Sequence, residues 1–121
     1  MTALPYKARE LVWMGDSKDE LSGFPDDVKR TLGFALRQVQ NRETPEIAKP
    51  LKGYSGVLEL KTNDTDNTYR AVYALKLGEC VYVLGAFIKK SKRGKKLPKE
   101  IKERINARLT AAKNLAKDWE S

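Results

Sequence analysis

The sequence contains no histidine, and this absence removes several classes of chemistry. Histidine is the general base of catalytic triads, the commonest acid–base group near neutral pH and a frequent zinc ligand. Cysteine occurs once, as Cys80, so an internal disulfide and a cysteine-rich metal site are also excluded. No glycine-rich phosphate-binding loop is present. The available chemistry is therefore that of lysine, arginine, tyrosine and a few carboxylates.

Long apolar runs are also missing. No window reaches the about 18–20 apolar residues that a membrane span requires, and the first ten residues lack the apolar segment of a signal peptide. We therefore expect a cytoplasmic protein without a membrane partner. The length of 121 residues fits a single domain, spanning 1–121, with a modest hydrophobic core.

Positive charge is abundant and concentrated in one segment. The net charge is +8, and residues 89–113 contain eleven Lys/Arg against two Glu, which accounts for the whole excess. A patch of this kind attracts polyanions. Nucleic acid is the favoured partner. The alternatives are an acidic protein partner and a solvated helix face that serves only solubility.

The apolar pattern predicts an α+β fold with a small antiparallel sheet. Strand signals occur at four places along the chain: 9–14, 57–61, 69–75 and 80–88. A short helix precedes a stronger one that begins at Pro25 and ends near Asn41, and a final helix begins at Pro98. The segment 44–55 contains two prolines and a glycine and is predicted to be a connecting loop.

Each long element has a face suited to the core. The second helix repeats apolar residues at helical spacing: Val28, Leu32, Ala35, Leu36 and Val39. The last helix does the same with Ile101, Ile105, Leu109, Ala112, Ala116 and Trp119. In the strand 69–75, alternation places Tyr69, Ala71 and Tyr73 on one face and Arg70, Val72 and Ala74 on the other.

Cleavage of RNA by its own 2′-OH is a reaction that these residue types can catalyse without a metal or a cofactor. It requires an in-line geometry, charge stabilisation on the phosphate and a proton transfer. Arginine and lysine stabilise the phosphate, and a lysine crowded by other cations has a lowered pKa suited to proton transfer. The candidates are Arg70, Lys61, Lys89 and Lys90. Arg70 interrupts an apolar strand, and the alternative is an arginine that only covers an open sheet face.

Two other features favour structural roles. Asp64 and Asp66 lie in the polar segment NDTDN, where these residue types indicate a hairpin turn rather than a metal site. Aromatic side chains can stack on RNA bases, but those of the strands are expected mostly in the core: Tyr69, Tyr73, Tyr82 and Phe87.

The order and spacing of several segments resemble the RelE/ParE superfamily of toxins, and within it the HigB-like, phage-related branch. The segments are WMGDSKDELSGFP, KPLKG, VLELK, YRAVYAL, VYVLGAFIKKS and LPKEIKERINARL. The resemblance implies a four-stranded antiparallel sheet with two N-terminal helices and a C-terminal helix. It also implies a toxin of a type II toxin–antitoxin system that cleaves mRNA on the ribosome, with a partner antitoxin that carries a helix-turn-helix domain.

By position, the family's basic site residues fall on Lys61, Arg70, Lys89 and Lys90, with Lys52 near the same surface. The remaining cations of the basic segment are expected to bind the RNA backbone or the ribosome: Lys92, Arg93, Lys95, Lys96, Lys99 and Lys102. The alternatives are a ParE-like inhibitor of DNA gyrase, which would not need these cations to converge, and a non-catalytic nucleic-acid-binding module.

This chain departs from the family pattern at two places. Relatives often have histidine where Gly85 stands, and many have a functional tyrosine where Leu97 and Pro98 stand. The sequence therefore leaves open which group transfers the proton.

Overall fold

The structure is a computed structural model that describes residues 8–77, 79–89 and 97–120. The elements in chain order are β1 (Glu10–Trp13), α1 (Ser17–Ser22), α2 (Asp26–Gln40), β2 (Ala48–Pro50), β3 (Val57–Asn63), β4 (Thr68–Leu77), β5 (Cys80–Lys89) and α3 (Lys99–Glu120). No helix in these ranges combines the length and the apolarity needed to cross a membrane.

The described strands form one sheet of five, in the order β1-β5-β4-β3-β2. The strands β2 to β5 are an antiparallel meander, and β1 pairs with β5 in parallel. The α+β class and the three helices agree with the sequence prediction. The predicted sheet of four antiparallel strands is wrong in two respects, the number of strands and the direction of β1.

The additional strand, β2, lies within the segment 44–55 that was predicted to be a loop. It pairs with β3 from Ala48 opposite Leu60 to Pro50 opposite Leu58. Proline is tolerated at a sheet edge because its missing N–H removes no bond from the inner ladder. The parallel direction of β1 also has a simple cause. Two helices, rather than a tight hairpin, join it to β2, so no turn forces an antiparallel pairing.

The sheet separates two hydrophobic layers. On one face the apolar stripe of α2 is buried as predicted and packs against Tyr69, Ala71 and Tyr73. On the other face α3 buries Ile105, Ala112 and Ala116 against the opposite side of β4, including Val72 and Ala74. The predicted division of the 69–75 strand into two faces is confirmed. Cys80 is buried, and this burial raises the pKa of its thiol.

A buried ion pair connects α1, β5 and α3 where β1 ends. Leu84 is an extra residue in β5, because Val72 pairs with Gly85 whereas Tyr73 pairs with Val83. Arg108 Nη1 donates to the carbonyl oxygen of Leu84 at 3.0 Å, and the two terminal nitrogens of Arg108 donate to the Glu20 carboxylate at 2.8 and 2.9 Å. The N–H of Ala86 donates to the same carboxylate at 3.2 Å. The two side chains therefore satisfy backbone groups of β5 beyond the end of β1.

Two glycines make room for Arg108. A Cβ at Gly15 would lie 2.7 Å from Arg108 Nε, and a Cβ at Gly85 would lie 3.3 Å from Arg108 Nη1. Gly15 also has a φ of 54°, in the left-handed region that other residues rarely adopt. Side chains at these two positions would compete with the docking of α3.

The Gly15→Ala variant tests this packing. We expect its free energy of unfolding to fall by about 1–2 kcal/mol from the left-handed backbone alone, with a further loss from the contact with Arg108. Urea unfolding measures the change. The matched control is Gly33→Ala in α2, where a Cβ meets nothing within 4 Å. This variant should raise the free energy of unfolding by about 0.5–1 kcal/mol. Equal stability of wild type and Gly15→Ala would contradict this account of the contact.

Acid unfolding tests the ion pair. Partial burial raises the pKa of Glu20, but hydrogen bonds from Arg108 and the Ala86 N–H, with the charges of Arg108 and Arg104, outweigh burial and lower it. The ionised Glu20 carboxylate therefore stabilises the folded state fully above the unfolded carboxyl pKa of about 4.3. This stabilisation is lost as the pH falls through the lower folded pKa. In urea titrations, we expect the free energy of unfolding of Glu20→Gln to fall less than that of wild type as the pH is lowered from about 6 to about 3. The exposed Glu43→Gln control should follow wild type.

Candidate functional site

Three predicted site residues share one face of the sheet. Lys61 in β3 lies directly opposite Arg70 in β4, and Arg70 lies opposite Phe87 in β5. Lys89 follows Phe87 by two residues, and side chains two apart in a strand point to the same face. Lys61, Arg70 and Lys89 therefore converge on the face that carries α3, beyond the apolar part that the helix covers. We call these three residues and Glu59 the charged cluster.

Arg70 is not free on this face. Its Nη1 donates to both carboxylate oxygens of Glu59, at 2.9 and 2.8 Å, and only 15% of the Arg70 side chain and 10% of the Glu59 side chain are exposed. Glu59 lies opposite Val72, so the pair is a diagonal one across β3 and β4. Arg70 therefore does not stand alone on an open face, because the buried Glu59 carboxylate holds it.

Sequence reasoning missed two residues of this site. Glu59 is an acidic residue at a buried position of a strand, and this signal was present in the segment VLELK. Lys49 lies opposite Glu59 on β2 and is exposed on the same face. It was missed because its strand was predicted to be a loop.

The surroundings of Lys89 favour its neutral form. Partial burial lowers the pKa of its ammonium group, and the nearby charges of Arg70 and Lys61 lower it further, whereas Glu59 opposes them. A lowered pKa increases the fraction of neutral lysine near neutral pH, and neutral lysine can act as a base.

The other predicted site residues that the structure describes are not part of this cluster. Lys52 lies in a turn next to Val57, where the Leu51 N–H donates to the Val57 carbonyl oxygen at 2.9 Å. Four residues of strand, about 13 Å, separate Val57 from Lys61. Lys99 and Lys102 are exposed in the first turn of α3. The remaining ones lie outside the described residues: Lys90, Lys92, Arg93, Lys95 and Lys96.

The acidic turn and the aromatic residues have the structural roles expected from the sequence. Asp64 Oδ1 accepts hydrogen bonds from the backbone N–H groups of Asp66 and Asn67, and Oδ2 accepts one from the Tyr69 hydroxyl. Within the described ranges, no group of three or more potential metal ligands is present. The four sheet aromatics expected in the core are buried: Tyr69, Tyr73, Tyr82 and Phe87. Burial raises the pKa of Tyr73 to about 12. They are therefore not available to stack on bases.

Comparison with known proteins identifies a family and a fold. Residues 19–110 match the model of the family described as phage-derived protein Gp49-like. A double arginine-to-alanine variant of the E. coli toxin RelE in the free state is 20% identical, with a TM-score of 0.60, over 84% of this chain and 98% of that one. The isolated E. coli RelE toxin is 21% identical, with a TM-score of 0.54, over 83% and 98%. Comparison with curated proteins gives no significant match. The family match agrees with the predicted phage-related branch, and the two RelE structures confirm the predicted RelE-like fold.

The Arg70→Met variant tests the buried pair. We expect it to lower the free energy of unfolding by about 3 kcal/mol, because it leaves the Glu59 carboxylate buried without its partner. The double variant Arg70→Met/Glu59→Leu should recover most of this loss. The control Lys61→Met, at an exposed position of the same face, should change stability by less than about 0.5 kcal/mol. Urea unfolding gives all three values, and similar losses in Arg70→Met and Lys61→Met would refute a strong pair.

Proposed function

We propose that this chain, which belongs to the phage-derived Gp49-like family, is the toxin of a type II toxin–antitoxin system. It is an endoribonuclease that cleaves mRNA on the ribosome, without a metal or a cofactor, and inhibits translation. Residues 1–121 form a single toxin domain that acts in the cytoplasm. Its partners are the mRNA, the ribosome and an antitoxin with a helix-turn-helix domain.

The observation that carries this proposal is the convergence of Lys61, Arg70 and Lys89 on one part of the sheet face. Phosphoryl transfer concentrates negative charge on the phosphate oxygens, and cations held in place stabilise that charge. A gyrase inhibitor does not require three cations to meet at one point. The RelE fold also supports the proposal, since two E. coli RelE toxin structures share it.

The proposed reaction uses the RNA as its own nucleophile. The 2′-oxygen attacks the adjacent phosphorus, the bond from phosphorus to the 5′-oxygen breaks, and the leaving 5′-oxygen takes a proton from water. The products are a 2′,3′-cyclic phosphate and a 5′-hydroxyl. Arg70 and Lys61 stabilise the charge on the phosphate. Lys89, with its lowered pKa, accepts the proton of the 2′-OH in its neutral form. Lys90 adds positive charge next to it.

The other cations contribute affinity. We assign Lys52, Lys92, Arg93, Lys95, Lys96, Lys99 and Lys102 to the RNA backbone and the ribosome. Contacts to phosphates carry little sequence information and weaken as salt displaces them. Replacing one of these residues should raise KM at physiological salt and leave the chemical step intact.

Variants at the charged cluster test the proposed activity. Because Arg70→Ala would also disrupt the buried pair, we choose Lys61→Met and Lys89→Met. Expression of wild type in E. coli should arrest growth and produce codon-positioned cuts, mapped by primer extension on mRNA. We expect each variant to reduce the cuts by about 100-fold or more with an unchanged melting temperature.

The control is Lys29→Met on α2, which packs on the other face of the sheet. It should cut mRNA as wild type does. Growth arrest with intact mRNA and trapped gyrase–DNA complexes would instead establish a gyrase inhibitor. Nucleic-acid binding without cuts or arrest would establish a non-catalytic binding module.

A further inference from the structure

The charged cluster contains one carboxylate, that of Glu59, and both of its oxygens are engaged by Arg70. Both accept hydrogen bonds from a single nitrogen, Arg70 Nη1, at 2.9 and 2.8 Å. Only 8% of the residue is exposed. A carboxylate that is buried and engaged in this way is poorly placed to take a proton from a substrate.

The pair also determines which part of Arg70 remains available. A guanidinium group is planar and rigid, so a fixed Nη1 fixes the direction of the other nitrogens. Among the described residues, Arg70 makes hydrogen bonds only to Glu59. Its Nε is buried and has no hydrogen-bond partner in the described part of the chain. Nη2 is therefore the terminal nitrogen of Arg70 that the described residues leave unengaged.

Nη2 suits a phosphate, because a guanidinium N–H donates a short, charge-assisted hydrogen bond to a phosphate oxygen. Nε is too deeply buried to take part. A competitor for the phosphate would be expected to occupy both terminal nitrogens with its two oxygens. Glu59 instead places both oxygens on Nη1 and leaves Nη2 open.

We propose that Glu59 is a positioning residue that holds the Arg70 guanidinium by Nη1 and directs its Nη2 towards the scissile phosphate. The inference rests on the proposed ribonuclease function. It assigns the carboxylate a role in the geometry of the transition state rather than in substrate affinity or proton transfer. Glu59 also offsets the mutual repulsion of Arg70, Lys61 and Lys89.

Glu59→Gln tests the role, because glutamine keeps one acceptor oxygen and removes the charge. With purified protein and ribosomes programmed with a defined mRNA, we expect kcat to fall by about 10- to 100-fold and KM to change by less than about threefold. The loss of a negative charge next to Lys89 should also shift the ascending limb of the pH–rate profile, along which Lys89 loses its proton, to lower pH. The control Glu43→Gln, at an exposed position after α2, should leave kcat, KM and the pH profile unchanged.

A double-mutant cycle with Arg70→Lys tests whether Glu59 acts through Arg70. Lysine keeps the charge and lacks the planar guanidinium group that Glu59 would position. Glu59→Gln should therefore have little further effect on kcat in that background. If Glu59→Gln proves too unstable, the same cycle is run with Gly33→Ala present in every protein.

The outcomes distinguish a failure of the proposed function from a failure of the role assigned to Glu59. If wild type makes no cuts in mRNA, the proposed function is wrong, and this inference falls with it. If wild type cuts mRNA but Glu59→Gln lowers KM with kcat unchanged, Glu59 is a competitor for the phosphate and only this inference is overturned. Independent, multiplicative losses in the cycle would overturn it as well.

Discussion

The ion pair between Glu20 and Arg108 is the interaction on which the arrangement of this fold depends. The two residues are 88 positions apart, and together they bind α1, the bulge of β5 and α3 to one another. Neither charge could be buried alone at reasonable cost, and each also satisfies a backbone group of β5. The pair holds α3 at the bulge of β5, and the apolar residues of α3 cover the neighbouring part of the sheet face. The charged cluster lies on the uncovered part.

A second constraint comes from the repulsion among the cations of that cluster. Arg70 is largely buried next to two lysines, and a buried charge requires compensation. Glu59 provides it from the neighbouring strand. The same carboxylate limits how far the pKa of Lys89 falls. Removing all negative charge would therefore increase attraction for RNA but would disorder the arginine and destabilise the sheet. The close packing of the three cations therefore depends on Glu59.

Much of the fold could be predicted from the sequence, because it depends on local periodicity. The stripe of α2 and the alternation in β4 place Leu32 and Tyr69 on one side and Val72 on the other, and both predictions are confirmed. The strand at Pro50 and the direction of β1 depend on pairing partners far along the chain, which a local pattern does not contain. The Glu59–Arg70 contact was missed for the same reason. It is diagonal, so it follows only from the register of β3 against β4.

The glycine at position 85 links the docking of α3 to the chemistry of the site. The resemblance to related toxins would place a histidine there, but Arg108 and Glu20 approach this backbone so closely that a Cβ would lie 3.3 and 3.5 Å from them. Arg108 would have to shift by a few tenths of an ångström to admit a side chain here. Proton transfer in the proposed reaction is assigned to Lys89, whose pKa is lowered by partial burial and by the charges of Arg70 and Lys61. Because the cations that stabilise a phosphate also lower the pKa of a neighbouring lysine, one cluster of charges can serve both steps without a histidine.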